Sequence, residues 1–135
     1  MRTTMFSALA VIAGLFAASA PVLAHHSFAA EFDGAKPVDL TGTVTNVDWV
    51  NPHSWIYIDV KGDDGTVVNW GLETGPPNVL YRAGWRRDSI KPGDTIKVHG
   101  FVAKDGSHTV AARLVQTPDG RRLFAGSPND NGPKQ

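Results

Sequence analysis

The sequence predicts a mainly β fold: a small OB-like, partly open Greek-key barrel of five to six strands, with one short helix between strands three and four. Three observations predict it. Apolar residues recur at every second position in a series of short runs, the period of a half-buried strand. Turns rich in Gly, Pro, Asn and Asp separate those runs. Between the third and fourth runs, residues 78–84 carry helical signals instead.

The chain has 135 residues, the length of one domain. Residues 1–24 read as a cleaved secretory signal. Arg2 is its positive end, Met5 to Ala18 is mostly apolar, and Val22-Leu23-Ala24 offers a cut after Ala24. The apolar run is short of the roughly 20 residues that span a bilayer, so no stable membrane anchor is expected after cleavage. Residues 25–36 then form an N-terminal arm and 37–125 the barrel. Residues 126–135, polar and rich in Gly, Pro and Asn, form a disordered tail.

The first strand runs from Val38 to Val50. Its apolar phase switches from Val38, Leu40, Gly42 and Val44 to Val47 and Trp49, as a β-bulge requires, and Gly42 permits a sharp bend. Asn51-Pro52 breaks the ladder. In the second strand, 55–60, Ile56, Ile58 and Val60 point one way, and Trp55, Tyr57 and Asp59 the other. Gly62-Asp63-Asp64-Gly65 is a hairpin turn, and Thr66 to Glu73 is the third strand. Asn78 is the expected N-cap of a helix over 79–84, with Gly84 near its stop. The fourth strand, Thr95 to Ala103, buries Ile96, Val98 and Gly100. The fifth, His108 to Gln116, buries Val110, Ala112 and Leu114 on one face, and Arg121 to Phe124 adds a short sixth.

Charge and composition exclude several function classes. Cleavage removes Arg2 and leaves 12 basic against 13 acidic residues, a formal charge of −1. Such a chain has no electrostatic footprint for nucleic acid. Without cysteine it has no disulfide framework, thiol redox centre or zinc ribbon. It carries no nucleophile elbow, phosphate loop, His-Glu-x-x-His or dinucleotide fingerprint, so an enzyme is not expected.

Two constellations remain. Cleavage would expose His25, whose α-amine and ring nitrogen chelate one metal ion, while His26 offers a second mode through the amide between them. Amine and imidazole nitrogens favour copper. His53, in the turn at the barrel mouth, is the expected further metal ligand, whereas His99 and His108 are expected to face solvent. The second constellation is aromatic. Trp55 and Tyr57 share the outer face of strand two, where OB-folds stack bases or sugars, and Glu73 ends the neighbouring strand. Glu73 reads either as an ion-pair partner of Arg82, among Arg86, Arg87 and Asp88, or as a carboxylate serving the histidine mouth. The expected function is an exported, periplasmic or secreted binding protein that takes copper through its mature terminus. The alternative is a metal-free module that binds a sugar, peptide or envelope protein through the aromatic face.

The segments His25-His26-Ser27-Phe28, Leu40-Thr41-Gly42-Thr43-Val44 and Asn51-Pro52-His53-Ser54-Trp55 resemble those of an uncharacterised group of small exported bacterial proteins. So do Asn69-Trp70-Gly71-Leu72-Glu73, Lys91-Pro92-Gly93-Asp94 and Pro118-Asp119-Gly120-Arg121-Arg122-Leu123-Phe124. The resemblance covers nearly all of the mature chain. It implies an export address and a small β fold, and it carries no activity.

Overall fold

The computed structural model describes residues 28–127. The expected signal segment, His25, His26 and the tail from residue 128 onward lie outside the described residues. A single helical turn, α1 (Phe28–Glu31), leads into β1 (Phe32–Asp48), followed by β2 (Trp55–Lys61) and β3 (Val67–Glu73). A short helix, α2 (Pro77–Arg82), precedes β4 (Thr95–Ala103), β5 (Thr109–Gln116) and β6 (Arg122–Phe124). No helix among the described residues is long and apolar enough to cross a membrane.

The strand order is β3-β2-β1-β4-β5-β6, antiparallel throughout. A parallel pairing of β3 with β5 (Gly71↔Thr109, Leu72↔Val110, Glu73↔Ala111) bends that sheet into a ring. This is a small, partly closed OB-like barrel with its helix between strands three and four, as the spacing of the runs predicts. β1 is the long strand that serves both halves, pairing with β2 and with β4.

Besides a register shift between Phe32 and Pro37 at the start of β1, two single-residue bulges shape the barrel. Thr45 is the extra residue where the β1–β2 register shifts between Val44 and Asn46, which accounts for the phase switch in the sequence. Gly42 lies nearby for a steric reason: a Cβ there would stand 2.7 Å from the Asp59 carbonyl oxygen. The second bulge is in β5, where His99 opposes Leu114 but Gly100 opposes Ala112. Arg113 is therefore the extra residue. It turns Leu114 to the outer face and puts Val115 in the core, so the expected burial of Leu114 beside Ala112 is corrected.

The core holds Val44, Ile56, Ile58, Leu72, Ile96 and Val98, with Trp85 from the turn after α2. Trp85 is fully buried, and its indole N–H donates to the Phe124 carbonyl at 2.8 Å, tying α2 to β6. The start of α2 differs from expectation. Pro77 occupies the first turn and Pro76 the cap position with no side-chain cap, so Asn78 is already inside the helix. The helix stop is as expected. Gly84 has φ +96°, its N–H bonds to the Tyr81 carbonyl, and the Trp85 N–H bonds to that of Leu80, a Schellman motif.

β1 also begins six residues earlier than the alternation suggests. Its start pairs with the end of β4 (Phe32↔Ala103). A second, smaller core accounts for this. Phe28 and Phe32 pack on Phe101 and Ala111, on the outside of the barrel. Phe101 keeps the outward orientation of its alternation, yet it is buried because the arm covers it.

Candidate functional site

The last rungs of β2 and β3 pair Trp55 with Glu73. Beyond them the two chains stay together through Ser54 and Thr74, both buried. The Thr74 N–H and hydroxyl each donate to the Ser54 carbonyl at 2.9 Å, and the Ser54 N–H donates to the Gly75 carbonyl at 3.2 Å. This clamp fixes the backbone on both sides of the pair that matters most. His53 Nδ1 meets Glu73 Oε1 across the gap. The His53 side chain is 28% exposed and that of Glu73 14%. The Asn51–Pro52 bond preceding this pair is cis.

The pair lines a small pocket whose other wall is the arm. Phe28, Glu31 and Phe32 face His53 and Glu73 there, with Ala111 as floor. The arm is held firmly. Phe28 stacks on Phe32 at 5.7 Å and meets Phe101 edge-on at 5.6 Å. The Arg113 guanidinium lies 4.8 Å over the Phe28 ring. Lys104 donates to the arm twice, from its backbone N–H to the Glu31 carbonyl at 2.8 Å and from Nζ to the Ala29 carbonyl at 2.6 Å.

A histidine with Nδ1 against a carboxylate has a defined chemistry. The carboxylate accepts the Nδ1–H, fixes the tautomer and leaves Nε2 as the lone-pair nitrogen, the arrangement used to orient metal-bound imidazoles. Among the described residues, no group of three or more His, Asp or Glu forms a metal-holding set. In this pocket His53 is thus an imidazole oriented by a carboxylate.

The other predicted positions sort as follows. Trp55 and Tyr57 are half-buried and stacked, 6.3 Å apart and 17° from parallel, on the outer face over Gly71. His99 is on the outer face as expected, with its Nδ1 2.8 Å from Asp39 Oδ1. His108 is exposed as expected, at the edge of the Trp70 ring. His25 and His26 lie outside the described residues. Sequence reasoning missed Glu31, Phe28 and Phe32 as pocket walls. Phe28 and Phe32 at helical spacing were the available signal.

A model of a family of unknown function, DUF6152, matches residues 12–112. The chain belongs to DUF6152. Comparison with curated proteins gave no match, and neither did comparison with solved structures. Membership agrees with the resemblance to an uncharacterised group of proteins. In this DUF6152 chain the match spans both the His25-His26 segment and the His53–Glu73 pair.

Proposed function

We propose that this DUF6152 protein is exported and binds copper, non-enzymatically, at a site made by its mature terminus and His53. The observation that supports this is the position of Phe28, which shares a pocket with His53 and Glu73. Phe28 follows His25 by three residues, and three residues reach at most about 10 Å. Cleavage after Ala24 would therefore free an α-amine within reach of His53. The His25 amine and ring, with His53 Nε2, supply three nitrogens in the manner of a histidine brace, and His26 offers the alternative third. Glu73 holds the His53 ring from behind and fixes its orientation as a ligand. Amine and imidazole donors favour Cu(II) among the common divalent ions. The address in this reading is periplasmic or secreted, because the uncleaved chain has no free amine at His25.

Copper titration of the mature protein, followed by calorimetry and electron paramagnetic resonance, tests the reading. One-to-one binding with nitrogen hyperfine structure is expected. One extra residue ahead of His25 should abolish the tight site, and His53→Ala should remove one nitrogen. Glu73→Gln should weaken binding about 10–100-fold while keeping the ligand set. Binding unchanged by the extra residue, or no tighter than that of a peptide of residues 25–30, would overturn it. A second reading rests on the near-parallel Trp55–Tyr57 stack: a metal-free module that takes a sugar, peptide or envelope protein on that face. Quenching of Trp55 fluorescence by such a ligand in a copper-free sample would favour it.

A further inference from the structure

On the far side of the arm from His53, the outer face of β1, β4, β5 and β6 carries two ladders of side chains set by register. One runs Thr41–Lys97–Gln116–Arg122 and the other Asp39–His99–Leu114–Phe124. Between them lies a groove of about 320 Å3. The bulge at Arg113 creates this surface, because it turns Leu114 outward beside His99. Neither Lys97 nor Arg122 forms an ion pair among the described residues. Asp39, whose carboxylate meets His99, supplies the one acid in the groove. A chain that is almost neutral overall thus concentrates two exposed cations in a single concave strip.

We propose that this groove binds an acidic saccharide. Lys97 and Arg122 stand two strands apart, about 10 Å at the usual strand spacing. That separation suits a chain that carries a carboxylate on every second sugar. Thr41, Gln116 and Asp39 lie beside them with the hydroxyl, amide and carboxylate groups that sugar hydroxyls require. Leu114 lines one side with apolar surface for a sugar face, and the exposed ring of Phe124 stands on the neighbouring rung. All of these side chains project from paired strands, so their spacing is set before a ligand arrives. The site is independent of copper and shares no residue with the His53 pocket.

Nuclear magnetic resonance titration of the protein with a tetrasaccharide of alternating glucuronate and N-acetylglucosamine tests this. The expected result is saturable shifts confined to the backbone amides of Thr41, Lys97, Gln116 and Arg122. Affinity should fall at least tenfold in the double variant Lys97→Gln/Arg122→Gln and fall with added salt. Both substitutions are on exposed side chains, and unchanged shifts of Ile58 and Leu72 verify that the variant is folded. The single variant Arg122→Glu repeats the test independently. No shift with the acidic probe would overturn the proposal. Equal shifts with a neutral N-acetylglucosamine tetramer, the same pattern with inorganic phosphate at matched ionic strength, or affinity unchanged in both variants would overturn it too.

Discussion

At His53 the two ring nitrogens have separate roles: Nδ1 is committed to Glu73, and Nε2 is the atom left for a ligand. A turn histidine alone would be ambiguous; the carboxylate opposite it defines the tautomer. The same principle, a short side chain setting a neighbour's hydrogen bonding, recurs at the hairpins. Asp64, Asp105 and Asp119 each accept the backbone N–H two residues on. Those bonds favour the ionised carboxylate and hold Asp64 and Asp105 below the usual carboxylate range. Asp119 is lowered furthest, to about 2, first by the Thr117 hydroxyl and then by Arg121, whose Nε is 2.7 Å from it. Its native carboxyl thus holds its proton less tightly than in the unfolded chain. The stabilising contribution is complete above pH ~4 and is lost as pH falls through about 2. Carbon-detected titration of the Asp119 carboxyl should find a midpoint near 2, and Thr117→Ala should raise it toward the ordinary aspartate value.

The arm is an element with its own small core. It docks on the outside of β4 and β5 through Phe28 and Phe32, and two hydrogen bonds from Lys104 hold its backbone. Burying one phenylalanine side chain contributes about 1.5–3 kcal/mol. Removing Phe28 should therefore let the arm open locally without unfolding the barrel. In Phe28→Ala, hydrogen exchange of the Lys104 N–H, which bonds to Glu31, should speed up by at least about tenfold. The Ile58 amide at the centre of β2 should exchange at its original rate. If the two amides accelerate together, the arm and barrel are one cooperative unit. In the copper reading, the same variant loosens the terminus near His53 and should weaken that site.

The whole molecule depends on bending one sheet until β3 meets β5. Bends concentrate where strands cross most closely, and there the chain places glycine beside a bulge. A Cβ on Gly42 would lie 2.7 Å from the Asp59 carbonyl oxygen, and one on Gly100 2.3 Å from that of Ala111. Both obstacles are backbone atoms of a paired strand, so they cannot swing aside. Gly100→Ala should cost about 1–3 kcal/mol or more by urea unfolding. Gly71→Ala is the contrasting case at the barrel's closure. Its Cβ would meet the Trp55 ring at 3.5 Å, ordinary contact, and stability should change by no more than about 0.5 kcal/mol. If both variants lose stability equally, strand-interior glycine matters through chain entropy or propensity and not through close approach.

The barrel was legible in the sequence because the succession of elements along the chain, turn residues and alternation are local properties. Ile56, Ile58, Leu72, Ile96 and Val98 alternate with polar neighbours, and a period of two assigns a face without knowledge of the partner strand. The bulge in β1 was legible for the same reason, since Thr45 shifts the phase within one run. The bulge in β5 was not. Val110, Ala111, Ala112, Arg113, Leu114 and Val115 offer apolar residues in either phase, and only pairing with His99 and Gly100 decides that Arg113 is extra. The Asn78 cap failed because Pro76 and Pro77 already set the backbone for a helix start. The chemistry divides along the same line. The sequence by itself determined which nitrogen and carboxylate donors exist, since residue type is intrinsic. Only the tertiary structure decided that Glu73 faces His53, that Phe28 lines the same pocket, and that Lys97 and Arg122 stand two strands apart. Those are distances between residues far apart in the chain, set by strand register and barrel closure and by nothing local.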